Sequence, residues 1–227
     1  MTTLNSKKQT NFPNSAKKPK LSLPSYSKLE EILNAVTHGI GILFSVFAFV
    51  YLMINFGPDF KSRFSISVYA STLLVLYTIS TLYHAAGVSE FKLRLRKLDH
   101  CSIFLLIAGT YTPLCLIYLN TLVSNLVLVG VWIAAIVGVI LNAIDVNRFS
   151  KISLTCYIAM GWSVLFMAKP VLNFFSSKQL LWLLIGGILY TVGAAIYVIG
   201  KKIKYMHSVW HLFVLAGSVA HFMIFVA

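Results

Sequence analysis

The sequence predicts an all-α polytopic membrane protein of seven transmembrane helices, with its N-terminus in the cytoplasm and its C-terminus outside. Three observations carry that expectation. Of 227 residues, 58% are hydrophobic and only 11% charged, with a mean hydropathy of +0.82; an ordinary soluble domain has about 25% charged residues and apolar content nearer 50%. The apolar residues gather into segments close to the ~20 residues that a helix needs to cross hydrocarbon, whereas β-barrel strands would be about half as long and alternating. Finally, Lys and Arg are distributed unequally between the loops.

Residues 1–30 read as a flexible, basic cytoplasmic tail. They carry Lys7, Lys8, Lys17, Lys18, Lys20 and Lys28, three prolines and several Ser, Thr and Asn, with no apolar run that could serve as a signal-peptide core. Residues 31–227 form the transmembrane domain. Its apolar segments cover about residues 34–55, 66–86, 101–119, 122–143, 152–172, 180–200 and 208–227. The first ends at the turn-forming Phe56-Gly57-Pro58-Asp59, the third contains Pro113, and the fifth has Pro170 near its end.

Seven crossings place the tail and the loops 2–3, 4–5 and 6–7 on one side. That side holds fifteen of the 19 Lys and Arg, the loop residues being Lys92, Arg94, Arg96, Lys97, Arg148, Lys151, Lys201, Lys202 and Lys204. The other holds Lys61, Arg63, Lys169 and Lys178. Positive residues stay cytoplasmic, which fixes the expected orientation. The net charge of +13 is thus topological, with some attraction to anionic inner-leaflet lipids, and no nucleic-acid partner is expected. Cys101, Cys115 and Cys156 lie in apolar stretches without CxxC spacing, which argues against both a disulfide framework and a thiolate metal site.

Ionisable groups within or beside spans are functional candidates by default. Of six histidines, His38, His84, His100, His207 and His211 fall at expected cytoplasmic helix ends. His221 lies ten residues beyond His211, about 15 Å further along the helix. His207-Ser-Val-Trp-His211 puts two imidazoles on one helix face, as paired metal ligands require, and His84 is the best third ligand. Ser80 lies one turn before His84, and Asp99 at the far end of the following loop returns to the same level. Three histidines, a water and a nearby carboxylate make an open zinc site suited to hydrolysis of an amide or ester. Plainer readings stand beside this one. Ser80 can bond back to the Leu76 carbonyl, and Asp99 can be the N-cap of the third span. His38 and His100 can be supporting or interfacial groups, and His221 a satisfied interior histidine. Glu30 or Glu31, with Asn34 and Thr37, can cap the first span or support the site from its rim.

The sequence resembles the haemolysin III family, the bacterial-type branch of the progestin and adipoQ receptor superfamily, over nearly everything after residue 28. The resemblance rests on Glu30-Glu31-Ile-Leu-Asn34-Ala-Val-Thr37-His38-Gly39, Ser80-x-x-x-His84, Asp99-His100 followed by Ala108-Gly109-Thr110-Tyr111-Thr112-Pro113, Met160-Gly161-Trp162, and His207-x-x-x-His211 with His221-Phe222. It implies seven helices with the amino end inside. It also implies a zinc ion held by His84, His207 and His211, as in the related adiponectin receptors, with Ser80 and Asp99 beside the metal-bound water. Kinship with alkaline ceramidases makes zinc-dependent cleavage of a lipid amide or ester the first expectation, with Asp99 taking the proton, Ser80 orienting water or the developing oxyanion, and the acyl chain among the helices. The family name makes cytolysis a second expectation, and the receptor relatives make non-enzymatic regulation of membrane lipid composition, with structural zinc, a third. Membrane lipids are the expected partners and the inner membrane of a bacterium the expected location.

Overall fold

A computed structural model describes residues 23–200 and 202–227; the greater part of the expected basic tail, residues 1–22, and Lys201 lie outside the described residues. The described chain is all α. Helix α1 (Lys28–Asn55) starts at Ser27, which accepts from the Glu30 amide while the Glu30 carboxylate accepts from the Ser27 amide, a reciprocal capping box. Asp59 and Ser89 cap α2 (Phe60–Ala85) and α3 (Glu90–Pro113) one way only, through side chains that accept from Ser62 N–H and Lys92 N–H. The Ser62 hydrogen bonds hold the Asp59 carboxyl below its ordinary pKa. Beyond Pro113 the chain continues as a π-helical turn, Leu114–Leu119, and stops at Asn120 in the left-handed conformation (φ 42°). Helices α4 (Leu122–Trp162) and α5 (Ala168–Phe174) are joined by a 3₁₀ turn, Ser163–Met167. Two further helices, α6 (Ser177–Gly200) and α7 (Met206–Val226), complete the chain.

Among the described residues, six helices are long and apolar enough to cross a membrane, where the sequence suggested seven segments. The difference lies in the stretch Leu122–Phe174, 53 residues of nearly continuous helix that would measure about 80 Å if straight. It is not straight. Asp145 has non-helical dihedrals (φ −156°, ψ 101°), and its carboxylate accepts from Asn147 N–H at 2.9 Å and Arg148 N–H at 3.1 Å, restarting the helix beyond the kink. On the near side, Lys97 Nζ donates to the carbonyls of Ala143 and Ile144, which the break leaves without helical partners.

Neighbour relations α1–α2, α2–α3, α3–α4, α6–α7 and α1–α7, with a slighter α4–α6 contact, close the helices into a ring. Helix α3 lies deepest, with 67% of its apolar window buried against 11% for α6, whose surface is otherwise available to lipid. Glycines allow the tightest approaches: a Cβ at Gly109 would overlap the Thr72 side chain, and one at Gly41 the Tyr77 ring. Helices also extend past the apolar segments at the end of the bundle that carries the N-terminus. Asp99 is therefore not an N-cap; Ser89 caps α3, and Asp99 sits in the helix with 5% of its surface exposed.

Candidate metal centre

Helix α7 begins at Tyr205, held at φ 65° by the Glu30 carboxylate, which accepts from its backbone N–H at 2.9 Å. That contact registers α7 against α1. It places His207 and His211, one turn apart, facing His84 of α2. One ring nitrogen from each of the three lies within 4.8 Å of the others, and all three side chains are buried. Among the described residues they form the one cluster of three His, Cys, Asp or Glu side chains able to share an ion.

Hydrogen bonds select the ring tautomers. His84 Nδ1 lies 2.7 Å from Glu31 Oε2, and since a carboxylate only accepts, Nδ1 carries the proton and Nε2 the lone pair. His211 Nδ1 lies 3.2 Å from the Asn34 carbonyl, also an acceptor, so its Nε2 is likewise free to ligate. The Nε2 atoms of His84, His207 and His211 are all buried without a hydrogen-bond partner. Leaving three such nitrogens unsatisfied in one place would cost about 1–3 kcal/mol each; a shared cation removes that cost. The donor set fits a divalent metal with imidazole ligands.

A polar collar supports the three rings. Glu31 bridges His84 and Lys92, whose Nζ donates at 2.7 Å to Oε1 and at 2.9 Å to the Ala86 carbonyl. Asn34, fully buried, accepts from Ser208 Oγ at 2.5 Å through Oδ1. Glu30 and Glu31 thus do both things the sequence left open: the first caps α1, and the second steadies a candidate ligand. Tyr26, assigned by sequence to the tail, packs its ring 4.9 Å from His207 and 5.9 Å from His84, and burial pushes its hydroxyl well above the usual tyrosine pKa. Nothing in the spacing of residues 23–30 signalled that contact, nor the role of Lys92 beyond its charge.

Ser80 is fully buried, and its Oγ makes no hydrogen bond, so it does not bond back to Leu76. Asp99 lies near enough to interact with both Ser80 and His84. His38 stacks on His211 with ring centroids 3.6 Å apart, and neither of its nitrogens has a partner. His100 lies at the same end, its carbonyl accepting from Tyr157 and Asn142. His38, Asp99 and His100 line one end of a cavity of about 390 Å³ that runs between α3, α4, α6 and α7 and is otherwise walled chiefly by Leu, Ile, Val and aromatic side chains.

Residues 26–222 match the family described as Haemolysin-III related. The chain belongs to the haemolysin III family. It is 41% identical over 196 residues to the Hemolysin-3 homolog of Bacillus subtilis (strain 168), covering 85% of this chain and 91% of the relative. Similarity to Hemolysin-3 of Bacillus cereus is 40% identity over 195 residues, or 85% and 89% of the two chains. At 27% identity over 201 residues it also resembles the human monocyte to macrophage differentiation factor, with coverage of 85% and 82%. With this family and its apolar helices, the haemolysin III protein is a multi-pass membrane protein.

Proposed function

We propose that this haemolysin III protein holds zinc at His84, His207 and His211 and hydrolyses a lipid amide or ester there. The observation that carries the reading is the convergence of three unpartnered, buried Nε2 atoms, together with a buried, unpartnered Ser80 hydroxyl and a buried Asp99 that lines one end of an apolar cavity. Zinc bound by such residues supplies a Lewis acid that activates water and polarises a carbonyl near neutral pH. The chain supplies the rest. Asp99 takes up the proton, Ser80 orients water or donates to the developing oxyanion, and the apolar walls hold the acyl chain away from water. Glu31 and the Asn34 carbonyl keep the His84 and His211 rings in the metal-binding tautomer.

The proposed topology has seven crossings, with Leu122–Phe174 spanning twice about the Asp145 break, in a bacterial cell membrane. The break itself, the ~30 Å thickness of hydrocarbon and the concentration of Lys and Arg on one set of loops favour it, with the N-terminus and the metal centre at the cytoplasmic side. Labelling cysteines placed at Asp59 and Glu90, in a protein lacking the three native cysteines, tests the orientation: Asp59→Cys reacts from outside intact cells, and Glu90→Cys only after permeabilisation.

Metal analysis of the detergent-purified protein and of His211→Ala, followed by a lipid-amide hydrolysis screen, tests the function. The expected result is one zinc per wild-type chain, fatty-acid release by wild type, and neither in the variant. Absence of stoichiometric zinc from the wild type overturns the enzyme reading. Zinc without fatty-acid release would favour a regulator of membrane lipid composition in which the metal is structural. Cytolysis rests on the name carried by the Bacillus cereus relative, and host-cell lysis that persists in His211→Ala would favour it.

A further inference from the structure

The cavity carries a second polar point that the metal centre does not use. Most polar side chains along its walls are satisfied within the protein: Tyr190 bonds Ser218 Oγ at 2.8 Å, Thr191 donates to the Gly187 carbonyl and accepts from Trp162 Nε1, and Tyr111 donates to the Gly161 carbonyl. Apart from His38, at the metal-centre end, His221 is the exception. It lines the same cavity, and neither of its buried ring nitrogens makes a well-formed hydrogen bond, although the backbone of Leu183 on α6 lies close to the ring. The plain sequence reading, a satisfied interior histidine, does not describe it.

The ring is held in place by shape. A Cβ at Gly186 would overlap the Cδ2 and Nε2 atoms of His221, so α6 leaves out a side chain where that edge of the imidazole rests. The Nδ1 edge is therefore turned away from Gly186. His221 lies ten residues beyond His211 on α7, which is about 15 Å along the axis. An unsatisfied imidazole at that depth is costly and becomes tolerable when a ligand completes it.

We infer that His221 is a chain-reading residue: it hydrogen-bonds a hydroxyl or carbonyl borne by the lipid chain about 15 Å from the carboxyl or scissile group held at the Asp99 end. The inference deepens the hydrolase reading and rests on it for the polar group at that end; the chain contact itself needs no turnover. The ligand class is a long-chain lipid carrying one polar substituent far along the chain, in preference to its plain counterpart. A site built to hydrogen-bond a hydroxyl discriminates against the analogue that lacks it, because its own polar group is then left unpaired.

Three probes test this: stearic acid, 2-hydroxystearic acid and 12-hydroxystearic acid, the last with its hydroxyl far along the chain. Their affinities are measured by displacement of a fluorescent fatty acid from the purified, zinc-analysed full chain, for wild type, His221→Leu and His221→Asn. Wild type is expected to bind 12-hydroxystearic acid about tenfold more tightly than stearic acid, the ratio that about one net hydrogen bond supplies, with no gain for 2-hydroxystearic acid. His221→Leu brings the ratio to one, and His221→Asn, which keeps a polar atom near the position of Nδ1, retains several-fold preference even if the leucine variant folds poorly. Equal binding of all three acids by wild type, or an unchanged ratio in a folded His221→Leu, overturns the inference. A preserved ratio in a protein that hydrolyses nothing sinks the hydrolase reading alone, whereas hydrolysis with a ratio of one sinks only this inference.

Discussion

Replacing Glu31 by Gln changes almost no volume and removes one charge, yet it is expected to weaken zinc binding severely. In the wild type, Glu31 accepts from His84 Nδ1 and from Lys92 Nζ, each at 2.7 Å. A glutamine has one accepting oxygen for two donors. Lys92 cannot surrender an acceptor, because it is an ammonium with 3% of its surface exposed, so the amide oxygen turns to Lys92 and the NH₂ group faces His84 Nδ1. Asn34 Nδ2, already 3.3 Å from that nitrogen, reinforces the same outcome. Two donors facing Nδ1 favour the tautomer with the proton on Nε2, where the metal needs a lone pair. Loss of an orienting partner of this kind costs about 10–100-fold in metal affinity, or about 1.4–2.8 kcal/mol, and the tautomer reversal puts Glu31→Gln near the upper end. Competition for zinc against a chromophoric chelator measures it, with exposed Glu90→Gln as control. Adding Lys92→Met lets the amide flip and should restore about tenfold. Wild-type affinity in Glu31→Gln, or no recovery in the double variant, refutes the tautomer argument.

Asp99→Asn should keep its zinc by metal analysis while hydrolysis falls by about 10²–10⁴, and Ser80→Ala should behave similarly with a loss of about 10²–10³; loss of zinc from either would instead mark that residue as part of the metal's support. Zinc occupancy should drop on acidification from neutrality, because protons compete with the metal for the imidazole nitrogens, and recover on returning to neutral. Equilibrium dialysis across that range reads the sign. Gly109→Ala drives a methyl into Thr72, whose Oγ1 is fixed by the Tyr69 carbonyl at 2.8 Å, and should cost about 1–3 kcal/mol. Thermal unfolding in detergent checks this against Gly39→Ala, where a Cβ meets nothing within 4 Å.

Much of the candidate site was legible from spacing. Four residues along a helix return to the same face whatever surrounds them, so His207 and His211, and Ser80 and His84, were paired before any packing was known. The alternation of apolar segments then brought the right helix ends together. The helix limits were less legible, because hydropathy marks where lipid begins and not where the helix does. Asp99 looked terminal for that reason, although α3 starts at Glu90. The same distinction applies to Leu122–Phe174. Hydropathy separated two apolar segments at Asp145, Arg148 and Lys151, whereas the helix there is nearly continuous, restarted past the kink by the Asp145 side chain's bonds to the backbone.

The sequence by itself determined the solvent of this protein and the end of the bundle at which its histidines gather, because burial of apolar surface and helical periodicity act locally along the chain. Tertiary structure alone decided which nitrogens stand ready to bind. Glu31 meets His84 across 53 positions and Asn34 meets Ser208 across 174, and Tyr26 closes over both histidine helices. Tautomer and access follow from such contacts, which exist only once the ring of helices has closed.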